Sequence, residues 1–136
     1  MGVGELRQRR ILIVDDEIPL LALMEQFLSR LGYQVEAFSS AREAFERLAA
    51  DPGAYSLVVT DISLPEISGR QVVERLLERN PDLRVLVCTG TAFALSSVAE
   101  SLRARVGVLT KPFAPPMLAD AVRRLLEGAN AGGGSG

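Results

Sequence analysis

The chain of 136 residues reads as one α/β domain built on an open parallel sheet sandwiched by helices. Three observations predict it. From Arg10 onward, short apolar runs alternate five times with stretches of helical period, the rhythm of a repeated strand–helix unit. The apolar runs are near-continuous in Val, Ile and Leu, as expected of strands covered on both faces. The length suits one domain of ordinary size and leaves no room for a second.

The predicted strands are Ile11 to Val14, Val35 to Phe38, Leu57 to Val59, Val85 to Cys88 and Val106 to Leu109. After the first strand, Leu20, Leu23, Met24, Phe27, Leu28 and Leu31 recur at three- and four-residue steps, one apolar helical face that Gly32 can close as a C-terminal cap. The second helix places Ala41, Ala44, Phe45, Leu48 and Ala49 on one side. Ser39 or Ser40 can cap its start and Pro52-Gly53 stop it. The third helix follows Gly69, buries Val72, Val73, Leu76 and Leu77, and ends before Pro81. The fourth, about 93–103, has the least regular pattern. The fifth runs from about Pro115 to Glu127, with Leu118, Val122, Leu125 and Leu126 inward and Arg123 and Arg124 outward. Beyond Gly128 the sequence can bury nothing and has the composition of a flexible linker.

Composition removes several function classes. With 15 Lys and Arg against 17 Asp and Glu, the net charge is −2, which disfavours bulk electrostatic binding to nucleic acid. The longest apolar run, Leu20 to Met24, is far short of a membrane span, and the N-terminus lacks the apolar region of a signal peptide, so a cytoplasmic location is expected. The single cysteine, Cys88, lies in an apolar run and reads as a buried thiol. There is no histidine, which removes the usual general base and the commonest metal ligand together. Chemistry is left to carboxylates, hydroxyls and lysine.

In an open parallel sheet the binding crevice lies beyond the carboxyl ends of the strands, where strand order reverses. The first strand ends in Asp15-Asp16-Glu17, the third in Asp61, the fourth in Thr89-Gly90-Thr91 and the fifth in Thr110-Lys111-Pro112. Three aspartates converging on one crevice need a counter-charge, because otherwise one carboxyl would be forced to hold its proton. Lys111 supplies one positive charge and a divalent cation supplies the rest. Carboxylate oxygens without His or Cys select Mg²⁺ or Mn²⁺. An acceptor carboxylate, a metal, a lysine and a hydroxyl are the parts that phosphoryl transfer onto a carboxylate requires. The plainer alternatives are that Asp15-Asp16 caps the first helix, that Asp61 is a turn residue before Leu64-Pro65, and that Glu17 only favours the positive end of the helix dipole.

The runs Ile11-Leu-Ile-Val-Asp-Asp-Glu17, Val58-Val-Thr-Asp61-Ile-Ser-Leu-Pro65 with Gly69, Thr89-Gly90 and Thr110-Lys-Pro-Phe113 occur in this order and resemble the response-regulator receiver domain of two-component signalling. The likeness covers about residues 10–127, with Asp61 45 positions after Asp16 and Lys111 50 positions after Asp61. It implies a flavodoxin-like, doubly wound five-stranded sheet of order 2-1-3-4-5 with five helices. An extension over 1–9, a receiver domain over 10–128 and a Gly-rich tail over 129–136 divide the chain accordingly.

The resemblance further implies that Asp61 is the phosphoacceptor and that Asp15, Asp16, Asp61 and the Ser63 main-chain carbonyl hold Mg²⁺. Thr89 would bond the incoming phosphoryl group and Lys111 would pair with it, the Lys111-Pro112 peptide being cis. The donor would be a phosphohistidine on a histidine kinase or a histidine phosphotransfer domain. A homodimer through the fourth and fifth helices fits the same pattern, with no direct contact to nucleic acid or membrane. The implied role is that of a signalling module, not a turnover enzyme. Gly69-Arg-Gln-Val, Pro81-Asp-Leu-Arg-Val-Leu and Leu109-Thr-Lys-Pro-Phe-Ala are similar to receivers attached to hybrid histidine kinases. One departure bears on output: Val108 stands where many receivers carry a Tyr or Phe switch, and valine has no ring to swing inward. A phosphorylation-independent interaction domain of the same fold is the alternative reading. A stand-alone Mg²⁺ phosphohydrolase would need a second acid–base group beside Asp61, and Ser63 is a poor one.

Overall fold

Five parallel strands form one sheet in the order β2-β1-β3-β4-β5, with β1 at Arg10–Val14, β2 at Gln34–Phe38, β3 at Leu57–Asp61, β4 at Arg84–Thr89 and β5 at Val106–Thr110. The computed structural model describes residues 10–51, 53–61, 69–90, 93, 96 and 98–135. The α-helices are α1 at Ile18–Arg30, α2 at Ala41–Ala50, α3 at Gly69–Arg79 and α4 at Pro115–Ser135. A 3-10 helix at Glu100–Arg105 makes the fifth helical segment. Fold class, strand order and, among the described residues, the five helical segments are as the sequence predicts.

Alternation along the strands divides the core in two. Ile11, Ile13, Leu57, Val59, Leu86 and Cys88 pack against α1 and α4 on one face. Leu12, Val14, Val58, Val85 and Val87 pack against α2 and α3 on the other. Strands β1 and β3 are buried almost throughout, whereas β2 and β5, at the sheet edges, are only partly covered.

Helix ends follow the local chemistry. Gly32 adopts φ 103°, and bonds from its N–H to the Ser29 carbonyl and from Tyr33 N–H to the Leu28 carbonyl close α1 in a Schellman turn. Of the two candidate caps for α2, Ser40 is the one used, its hydroxyl accepting the Glu43 N–H at 3.4 Å. Pro52 lies outside the described residues.

Three expectations are corrected. The buried line of α1 is Leu21, Met24 and Leu28, with Leu20 and Phe27 flanking it; Leu23 is 63% exposed and Leu31, at the C-cap, is exposed too. At 100° per residue Leu23 lies about 130° from the middle of the Leu21–Met24–Leu28 line, beyond Leu20 and Phe27, where the sheet does not reach. Likewise Ala49 of α2 is exposed while Ala41, Ala44 and Leu48 are buried. The fourth helical segment is 3-10 at Glu100–Arg105, with Leu102 N–H bonding the Ala99 carbonyl three residues back. None of its six residues is buried, so no apolar stripe stabilises a full α-helix there. The last helix, α4, buries Leu118, Val122 and Leu126 as expected and runs past Glu127 to Ser135.

Candidate functional site

The site lies at the carboxyl ends of the strands, where the chain leaves β1 toward β2 on one side and β3 on the other. Val14 of β1 faces Thr60 of β3, which places Asp15, the next residue, beside Asp61. Thr89 ends β4 in register with Thr110 of β5, and Lys111 N–H bonds the Thr89 carbonyl at 2.7 Å. Sheet register alone therefore brings Asp15, Asp61, Thr89 and Lys111 together. Asp15, Asp61 and Thr89 are buried, and the Lys111-Pro112 peptide is cis as the resemblance implies.

Asp15, Asp16 and Asp61 each offer a carboxylate oxygen within 4.8 Å of the others. The set contains only hard oxygen donors, two buried and one exposed, so its chemistry fits a divalent cation such as Mg²⁺ or Mn²⁺. Ser63, the expected main-chain ligand, lies outside the described residues, as do Leu64, Pro65 and Thr91.

Lys111 is the centre of the charge network. Its ammonium donates to Asp15 Oδ2 and Asp61 Oδ2, each at 2.9 Å, and to Glu17 Oε1 at 2.6 Å. Burial opposes the lysine charge, but hydrogen bonds to Glu17, Asp61 and Asp15 outweigh it and hold the ammonium protonated well above the usual lysine range. Burial raises the Asp15 pKa above the ordinary 3.8, partly offset by the Glu17 N–H and by Lys111. Beneath the site, burial pushes the Cys88 thiol up to about 12, which makes it an inert core group.

Asp15 makes a local turn bond as well as facing the pocket, and it does not cap α1, whose N-cap is Glu17. Its Oδ1 accepts the Glu17 N–H at 2.8 Å, steadying the entry to α1, while Oδ2 faces Lys111. Glu17 is the residue whose place in the site the sequence did not reveal. It is the N-cap of α1, but its side chain makes no capping bond and instead reaches Lys111. The available signal was a third acid directly following an aspartate pair at a strand end with one lysine to share.

The chain belongs to the receiver domains: the family described as Response regulator receiver domain matches residues 11–123. The response regulator receiver protein CpdR of Brucella abortus (strain 2308) is 34% identical over 119 residues, covering 87% of this chain and 97% of that protein. Sensor kinase CckA of the same strain is 32% identical over 120 residues, 86% of this chain but only 12% of the kinase. The crystal structure of a CheY-like receiver domain protein from Methanospirillum hungatei JF-1 superposes with a TM-score of 0.78 at 30% identity, covering 90% of this chain and 96% of that one. The molecule is thus a receiver module of two-component signalling with an acidic pocket suited to a divalent metal. Among the described residues, no helix is long and apolar enough to cross a membrane.

Proposed function

We propose that this receiver domain is a phosphoacceptor in which Asp61 takes a phosphoryl group from a phosphohistidine on a separate histidine kinase or histidine phosphotransfer domain. The observation that carries this reading is one ammonium, Lys111, held 2.9 Å from both Asp61 and Asp15 at the mouth of the switch-point crevice. An Asp61 carboxylate oxygen attacks phosphorus as the phosphorus–nitrogen bond breaks, and the bonding pair returns to the donor imidazole. These 136 residues contain no histidine, so the donor imidazole lies outside them.

Lys111 binds the transferred phosphoryl oxygens and the Thr89 hydroxyl donates to them, fixing the group in line. Asp15, Asp16, Asp61 and the Ser63 carbonyl would hold Mg²⁺. When bound, the cation neutralises the carboxylates and the phosphoryl oxygens. The charge change then alters the protein contacts of the domain in the cytoplasm. The likeness to a segment of CckA supports a receiver of the hybrid-kinase type. Val108 favours a second reading, a relay, sink or phosphorylation-independent contact module. It is 38% exposed on β5, with no aromatic ring to carry the pocket's state outward.

The test is an amide NMR titration with beryllofluoride, an acyl-phosphate mimic, with and without Mg²⁺, on wild type and Asp61→Asn. Mg²⁺-dependent shifts at Asp15, Asp61, Thr89 and Lys111 that vanish in the variant are expected. Shifts extending over residues 93–109 mean an output face that responds; shifts confined to the pocket mean a relay or sink. No response in the wild type overturns the phosphoacceptor reading.

A further inference from the structure

A lysine ammonium has three N–H donors and no acceptor. In this structure all three are engaged by carboxylates: Glu17 at 2.6 Å, Asp15 at 2.9 Å and Asp61 at 2.9 Å. A phosphoryl group on Asp61 adds an acceptor with close to two negative charges. Phosphorylation frees the donor that Asp61 now holds; to bond a second phosphoryl oxygen Lys111 must release one of its other two partners.

Burial decides which bond goes. The Asp15 side chain is 1% exposed, and withdrawing the cation from a buried carboxylate is costly. Asp61 is the acceptor itself. The Glu17 side chain is 58% exposed, so water solvates its carboxylate once Lys111 leaves. Its helix-capping role is also independent of that carboxylate. The Glu17 backbone N–H is held by Asp15, its carbonyl accepts the Leu21 N–H at 2.9 Å, and its side chain makes no capping bond.

We infer that Glu17 is the exchangeable partner of Lys111: in the resting domain it occupies the lysine donor that the phosphoryl group takes over, and its charge at the pocket mouth opposes the incoming anion. Glu17 is a positioning residue, acting through Lys111 without touching the reacting atoms. It sets how readily the acceptor site is filled. This inference rests on the phosphoacceptor reading of Asp61.

The experiment compares wild type, Glu17→Gln and Glu17→Asp. Beryllofluoride affinity is read from amide shifts at saturating Mg²⁺ for each protein, so that a changed metal affinity does not enter. Glu17→Gln, which keeps shape and removes charge, is expected to bind the mimic about two- to fivefold more tightly than wild type. Glu17→Asp, which keeps the charge, is expected to return toward wild type, and raising the salt concentration narrows the difference. Unchanged or weaker binding by Glu17→Gln, with the wild type responding, overturns the inference and leaves the phosphoacceptor reading standing. A wild type that does not bind beryllofluoride overturns both.

Discussion

Cys88 shows how position turns one residue type into another chemically. It is 1% exposed, and burial lifts its thiol from the ordinary 9.0 to about 12. At pH 8 the thiol is held protonated, so an aromatic disulfide reagent should modify the native protein no faster than it unfolds. The native state keeps a proton that the unfolded chain gives up. The stabilisation is therefore complete below pH 9 and is lost as pH rises toward 12. Lys111 and Tyr55, both raised, act in the same alkaline direction. Denaturant titrations from pH 8 to 11 should show falling stability, with a shallower fall in Cys88→Ala; equal slopes would show that burial does not hold the thiol proton. The buried character of Cys88 was legible from its apolar neighbours. The position of Glu17 was not, because its partner lies 94 residues away.

At the scale of elements, the segment least legible in sequence is held by a side chain with no carboxylate partner in its hydrogen bonding. Arg105, the last residue of the 3-10 helix, donates from Nε to the Leu83 carbonyl at 3.0 Å and from Nη2 to the Leu77 carbonyl at 3.1 Å, and Nη2 also bonds the Asn80 carbonyl. It thereby satisfies carbonyls at the end of α3, where the helix runs out of its own donors. Glu74 of α3 adds a second tie, accepting the Ala99 N–H at 3.3 Å. These four bonds, more than helical propensity, fix the stretch before β5. Arg105→Ala is expected to cost about 1–3 kcal/mol in stability by leaving carbonyls at the α3 end short of donors. A chemical-denaturation midpoint equal to wild type would remove the Arg105 staple. The regular helices were legible because their apolar positions repeat at helical spacing. The 3-10 segment was not, since it is fixed by bonds to partners 22 to 28 residues away, which no local pattern encodes.

At the scale of the whole molecule, the sheet concentrates negative charge at one end. Asp15, Asp16 and Asp61 cluster, Glu17 adds a fourth carboxylate, and Lys111 answers them alone among the described ion pairs. Without metal, Asp61→Asn is expected to melt at a higher temperature than wild type, because repulsion in the pocket falls. Mg²⁺ at a hundred times its Kd should stabilise the wild type by about 2.7 kcal/mol, and the variant by less. Equal responses of the two melting curves to Mg²⁺ would remove Asp61 from the metal-binding set.

The sequence by itself determined the strand count, the parallel α/β class, the strand-end acids and the lysine that answers them. Each is written in short-range patterns: apolar runs, helical spacing, and polar residues at the last position of a run. Tertiary structure decided how α1 is rotated against the sheet, that the fourth helical segment is 3-10, and that one ammonium is shared by three carboxylates. Those carboxylates lie 50, 94 and 96 residues from Lys111 along the chain. Local periodicity fixes which residues reach the end of a strand. Which donors and acceptors then meet depends on the register of strands that pair only after the chain has closed around its core.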